Sequence, residues 1–185
     1  EAISTVDRSV VLPYVDRYGL LPPERDPEEV GGHLVAGAQE RAMYASGDEG
    51  FFRLGAADDG ETDQWYTFRE PEPVYDTDND HLLGYFLEHT GVLRLGEPAG
   101  EDLYAGTIKR TYAPVEEGDR LYPGRAASPR TRFMPKPGPD LEGRILRHVG
   151  GESMLGEGQM VILNRGARHG LEKGHVLVVR GSPRT

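Results

Sequence analysis

The stretch Gln64-Trp65-Tyr66-Thr67-Phe68-Arg69 decides the fold class. Aromatic and β-branched side chains fit a pleated, partly buried surface, and here they stand in unbroken succession. Working outward, similar short apolar runs lie between turn-forming clusters. His33-Leu34-Val35-Ala36-Gly37 and Arg41-Ala42-Met43-Tyr44-Ala45 precede the central stretch, and residues 82–88, 91–95 and 103–112 follow it. Runs of this length separated by Gly, Pro, Asn and Asp predict several short strands. Val74-Tyr75 and Leu82-Leu83-Gly84-Tyr85 read as two strand ends joined by the polar hairpin loop Asp76-Thr77-Asp78-Asn79-Asp80-His81.

The flanks divide by composition. Residues 1–31 carry Val10-Val11-Leu12-Pro13-Tyr14-Val15 and Leu20-Leu21-Pro22-Pro23, whose prolines deny a long helix, and read as an extended lead-in. Residues 32–123 form the main β domain. Residues 124–140 are dense in proline and place Arg125, Arg130, Arg132 and Lys136 before any acid, the composition of a linker. Residues 141–185 hold three further strand candidates at 141–149, 159–164 and 175–180, enough for a small C-terminal β module. The expected fold is mainly β: a short-stranded β domain followed by a small barrel-like or sheet module, with few or no long helices. Two segments, Val115-Glu116-Glu117-Gly118-Asp119-Arg120-Leu121 and Leu171-Glu172-Lys173-Gly174-His175-Val176-Leu177, share one frame. Each predicts a tight turn that uses glycine's positive φ to launch a strand.

Composition narrows the function. The chain has 185 residues, enough for one domain or two small ones, and 25 Gly with 14 Pro favour many short elements. A formal net charge of −10 disfavours nucleic acid as a partner. The absence of Cys removes disulfides, thiolate zinc sites and cysteine nucleophiles. No apolar run approaches the roughly 20 residues that cross a bilayer as a helix. Glu1-Ala2-Ile3-Ser4 lacks the basic and apolar regions of a signal peptide, so an exported protein of this kind is expected to carry its leader upstream.

The candidate chemistry is thin. Asp76, Asp78 and Asp80 alternate like the opening of a calcium loop, but His81 stands where that loop needs Gly and Leu87 where it needs a ligand, so a solvated hairpin is preferred. His169 and His175 flank a turn without a third metal ligand. Ser46, Ser128 and Ser153 lack the Gly-x-Ser-x-Gly frame of a nucleophile elbow. The basic residues of the linker are placed to meet anionic glycan or lipid head groups, yet read more simply as a solvated segment. Trp65, Tyr66, Phe68, Tyr85 and Phe86 are stacking candidates for a glycan, though strand alternation buries about half of such a set. No catalytic, cofactor-binding or metal-ligating residue is assigned, no cofactor is expected, and a binding residue stays undesignated.

The segment 159–177, with Asn164-Arg165-Gly166-Ala167-Arg168-His169-Gly170-Leu171 at its centre, resembles the region after the LysM module in proteobacterial LysM-containing periplasmic proteins. Supporting similarities are Gly32-His33-Leu34-Val35-Ala36-Gly37-Ala38, Leu83-Gly84-Tyr85 and Glu117-Gly118-Asp119-Arg120-Leu121-Tyr122-Pro123, in the same order. The LysM module itself does not occur in these residues. The resemblance implies a periplasmic or cell-envelope location, with peptidoglycan held by a LysM module elsewhere. It implies a non-catalytic accessory or interaction domain whose envelope protein partner is unknown. The alternatives are a carboxylate-dependent cell-wall hydrolase and direct glycan binding by an aromatic face.

Overall fold

The computed structural model describes residues 6–7, 14, 16–29, 31–55, 62, 64–124, 132–150 and 159–181. The strands, in chain order, are β1 (Val6–Asp7), β2 (Tyr18–Leu21), β3 (Gly32–Gly37), β4 (Glu49–Leu54), β5 (Gln64–Phe68), β6 (Glu72–Tyr75) and β7 (Leu82–Pro98). There follow β8 (Leu103–Thr111), β9 (Arg120–Gly124), β10 (Arg132–Phe133), β11 (Lys136–Pro137), β12 (Ile145–Val149), β13 (Met160–Leu163) and β14 (His175–Val176). The protein is mainly β, as the residue patterns require, with a closed six-stranded barrel and additional strands. Two compact units are present, one within Tyr14–Tyr75 and Asp80–Ser128, the other within Glu1–Pro13, Asp76–Asn79 and Pro129–Thr185.

In the larger unit the barrel closes in the order β7-β5-β9-β3-β4-β8 and back to β7, every pairing antiparallel. Closure removes the free edges that an open sheet of these strands would present. Its interior is filled by Leu34, Tyr44, Phe52, Trp65, Leu93, Ile108, Val115 and Leu121. The long strand β7 serves two sheets. Its first half carries β2 and β6 on either side, and its second half enters the barrel between β5 and β8. The runs 82–88 and 91–95, expected as separate strands, are therefore one strand of 17 residues. No breaker interrupts Glu88-His89-Thr90, and the change of partners is absorbed by irregularities in register at Thr67/Phe68 and Val92/Leu93.

This arrangement explains why Trp65, Tyr66, Thr67 and Phe68 are all buried instead of alternating with solvent. Trp65 faces the barrel interior, whereas Phe68 joins a second cluster with Leu21 and Leu87. A strand covered on both faces loses the half-exposed pattern. Two further differences concern the same unit. Residues 41–45, expected as a strand, contribute a single bridge from Tyr44 to Val115. Conversely β4, not anticipated in Glu49-Gly50-Phe51-Phe52-Arg53-Leu54, follows a glycine-rich turn that masks its period of two, with Gly50 and Phe52 inward and Glu49, Phe51 and Arg53 outward.

The two similar turn segments do form one local structure, and it occurs a third time. Asp119 N donates to Glu116 O at 3.0 Å, His175 N to Glu172 O at 3.1 Å and Asp48 N to Ala45 O at 3.1 Å. In each turn the third residue is Gly at positive φ, 86° at Gly118, 97° at Gly174 and 97° at Gly47. The fourth side chain accepts a hydrogen bond from the first residue's amide: Asp119 from Glu116, His175 from Glu172, Asp48 from Ala45. A strand begins at once after each, which is what a turn that satisfies its own backbone groups permits.

In the smaller unit β12 and β13 form an antiparallel hairpin, β11 and β14 pair in parallel, and β1 pairs antiparallel with β10. The third strand expected at 175–180 is thus limited to His175–Val176, and it joins β11 instead of the hairpin. Leu177, Val178 and Val179 continue as exposed, non-strand chain. Strands β10 and β11 fall within the segment read as a linker, whereas Arg125 and Arg130 lie outside the described residues.

Candidate functional site

The alternating aspartates mark the most organised polar cluster of the smaller unit. Asp76 starts a local turn by accepting the Asp78 amide at Oδ1, 3.0 Å away. Asn164, directly after β13, is buried and uses all of its amide: Oδ1 accepts the Arg144 backbone N–H at 2.7 Å, and Nδ2 donates to Asp76 Oδ1 at 2.9 Å and Asp78 Oδ2 at 3.0 Å. Arg144 Nε donates to Asp78 Oδ1 at 2.7 Å. Arg165 reaches Asp78 Oδ2 at 3.1 Å and Asp76 Oδ2 at 3.5 Å.

Two guanidinium groups and one carboxamide thus engage these carboxylate oxygens as donors. Donor-rich neighbours favour the ionised form. The Asn164 hydrogen bond holds the Asp76 carboxyl below its ordinary range, followed by the Asp78 amide, and Arg165 adds to the effect. The Arg144 hydrogen bond does the same at Asp78, with Arg165 second. This is a clamp, not a reactive pair. Asp80, the third of the alternating set, belongs to the other unit and adopts positive φ, 57°.

The sign of the pH effect follows. A carboxyl whose folded pKa is depressed contributes stability above its unfolded value, near 4, and that contribution is lost as pH falls through the folded value. The smaller unit is expected to lose its clamp in acid below pH 4, and Asn164→Ala to remove the donors shared by both aspartates at neutral pH. Hydrogen exchange of the Arg144 and Asn164 amides, whose backbone groups bond at 3.1 Å, checks both: the variant should exchange faster at pH 7 and respond less to acid than the wild type.

The other candidates separate. His169 Nδ1 accepts from Gly166 N at 3.2 Å and His175 Nδ1 from Glu172 N at 3.1 Å, so each ring serves its own turn. Among the described residues no group of three His, Asp or Glu is placed to hold a metal ion. Lys136 pairs with Glu172, whose carboxyl is lowered first by that hydrogen bond and then by the charge of the ammonium. Ser46 Oγ donates to the Lys109 carbonyl at 2.8 Å, and Ser128 and Ser153 lie outside the described residues. Trp65, Tyr66, Phe68 and Phe86 are buried, and Tyr85 packs partly against the Leu21–Phe68–Leu87 cluster.

A second polar network lies in the larger unit and was not anticipated. Asp119, 2% exposed, accepts from Arg69 Nε at 2.7 Å and Nη2 at 3.0 Å, from Thr90 Oγ1 at 2.9 Å, and from the Glu116 amide at 3.1 Å. The Arg69 guanidinium is raised above its ordinary pKa, first by the hydrogen bond to Asp119. The sequence signal was Gly118-Asp119 in the repeated turn; the partners stand 29 and 50 residues away.

Fold and site together define a class: a closed six-stranded antiparallel β-barrel protein whose organised polar groups form structural clamps, accompanied by a smaller β unit. Compared with known proteins, the chain matches no family model and no curated relative. Among the described residues no helix is long and apolar enough to cross a membrane.

Proposed function

We propose that this chain is a non-catalytic interaction domain of the bacterial cell envelope, of the kind that accompanies a peptidoglycan-binding LysM module, and that it works in the periplasm. The observation that carries the interaction role is the run beyond β14. Leu177, Val178 and Val179 are 41%, 82% and 73% exposed, although their composition favours a strand. Such a run is suited to add to the sheet edge of an envelope protein, where main-chain hydrogen bonds supply affinity and alternate side chains supply specificity. The envelope location rests on the resemblance of the 159–177 segment.

The competing readings find less support. A carboxylate-dependent hydrolase requires an acid with a raised pKa beside a second carboxylate. Asp76, Asp78 and Glu172 are displaced in the opposite direction by their cationic and amide partners. Of the rings considered for direct glycan binding, Trp65, Tyr66, Phe68 and Phe86 are buried and Tyr85 alone is half-buried, which leaves little stacking surface among them.

Sedimentation with insoluble peptidoglycan tests the reading. The chain is expected to stay in the supernatant and to release no muropeptides. Release would overturn the non-catalytic assignment, and pelleting without release would transfer the role to glycan binding by this chain.

A further inference from the structure

We infer that His89 is a proton-operated latch that holds the segment Asp16–Leu21 against the barrel near neutral pH and lets it go in acid. The site lies within the larger unit, where β7 passes from its pairing with β2 to its pairing with β5. His89 is 3% exposed, and its ring stacks on Tyr66 with centroids 4.2 Å apart. Nδ1 lies 2.8 Å from the backbone carbonyl of Asp16. A carbonyl only accepts, so Nδ1 must carry the proton, and the neutral ring then presents a bare lone pair at Nε2. That nitrogen is buried and has no hydrogen-bond partner among the described residues. Gly19 closes over it: a Cβ at that position would stand 2.9 Å from Nε2.

The geometry makes the neutral ring a good fit and the cation a poor one. A proton added at Nε2 creates a buried N–H with no acceptor, directly against the β2 backbone, and the charge must be held away from water. The same burial displaces the His89 pKa downward, with the Asp16 carbonyl and carboxylate opposing it less strongly. The charged and titratable groups that face the ring are identifiable. Asp16 is the nearby anion, and its carboxylate is shared with Arg110 at 3.4 Å. Tyr66 lies on the ring face, with Tyr112 and Arg110 in its electrostatic surroundings. On the strand side Glu88 is paired with Arg17 at 2.9 Å. None of these supplies an acceptor to Nε2.

The direction of linkage is the reverse of the usual histidine case. Because the folded pKa lies below the unfolded value, near 6.5, the closed segment is unpenalised above pH 6.5. It is progressively weakened as pH falls from there toward the depressed folded value. Opening relieves the penalty, since the freed imidazole takes up its proton in water. It would uncover Leu21's partners Phe68 and Leu87 and free the β7 edge at residues 85–88, where β2 pairs. The latch therefore couples proton concentration to exposure of an apolar sheet face.

Hydrogen exchange on the full chain between pH 7.5 and 5.5, corrected for the intrinsic pH dependence of exchange, tests the assignment. Below pH 6.5 the amides of Tyr18–Leu21 should exchange faster by up to about ten-fold per pH unit, the effect of one linked proton. The amides of Leu93 and Ile108 in the barrel should not follow. In His89→Phe the β2 amides should exchange faster at every pH and show no acid response, whereas Asp16→Asn should keep the response. A flat wild-type profile, a response that survives in His89→Phe or vanishes in Asp16→Asn, or parallel acceleration of Leu93 and Ile108 would overturn the latch. An NMR titration of the wild-type His89 ring gives a check that needs no variant: its midpoint should fall below the ordinary imidazole value of about 6.5, and a midpoint at or above that value would refute the inference.

Discussion

Asp119→Ala is expected to lower the unfolding free energy of the barrel unit by about 2–4 kcal/mol, the cost of leaving the buried Thr90 hydroxyl and the Glu116 amide without their acceptor. The Asp119 carboxylate has both oxygens engaged, receiving Arg69, Thr90 and the Glu116 amide, and Thr90 is itself bonded to Thr67 at 2.8 Å. Thr67 and Thr90 are buried, so the hydroxyls left behind cannot turn to water without local opening. Arg69 is 41% exposed along its side chain and regains solvent more easily, which places most of the loss on the threonines and the turn. The same turn at Ala45-Ser46-Gly47-Asp48 provides the internal comparison. Asp48 caps it identically but is only half-buried, with Arg41 at 3.6 Å. Asp48→Ala should therefore cost about 1 kcal/mol, the ordinary net value of one hydrogen bond. Urea unfolding followed by circular dichroism compares the two, and equal losses would show that the Asp119 network adds nothing to the turn.

Trp65→Ala should be of comparable size, about 3–5 kcal/mol, for a different reason. Trp65 is 1% exposed in the barrel interior beside Leu34, Phe52, Leu93 and Ile108, and six-strand closure leaves these neighbours little freedom to collapse into the space. Its strand also bonds β7 on one side and β9 on the other, so a shift to fill the cavity would disturb two ladders. Trp65→Phe, which retains an aromatic ring, should lose markedly less. Since Trp65 is the one tryptophan of the chain, its emission in the wild type reports directly on barrel opening, and circular dichroism must serve for the variants. A loss below 1 kcal/mol for Trp65→Ala would mean that the barrel interior repacks freely.

Much of the local structure was legible. Gln64–Phe68, Gly32–Gly37 and Leu103–Thr111 are strands where β-branched and aromatic residues predict them, and the turns at Gly118 and Gly174 use the expected positive φ. The polar hairpin after Tyr75 was also visible. Its chemistry was not: the donors that neutralise Asp76 and Asp78 lie 66 to 89 residues away, at Arg144, Asn164 and Arg165. Asn164 is the last residue of the strand expected over 159–164, and only the position of β13 shows its carboxamide facing the two aspartates. His89 gave no signal at all, because its isolation depends on Gly19 and Asp16 arriving from the segment read as a lead-in.

By itself the sequence determined that this protein would be built of short strands and glycine turns, with no cysteine chemistry, because those outcomes depend on residue type and on spacings of a few positions. The tertiary structure decided that six strands close into a barrel, that Trp65–Phe68 is covered on both faces, and which charged groups neutralise one another. Those outcomes depend on strand register between distant segments, where a shift of one residue turns every side chain to the opposite face.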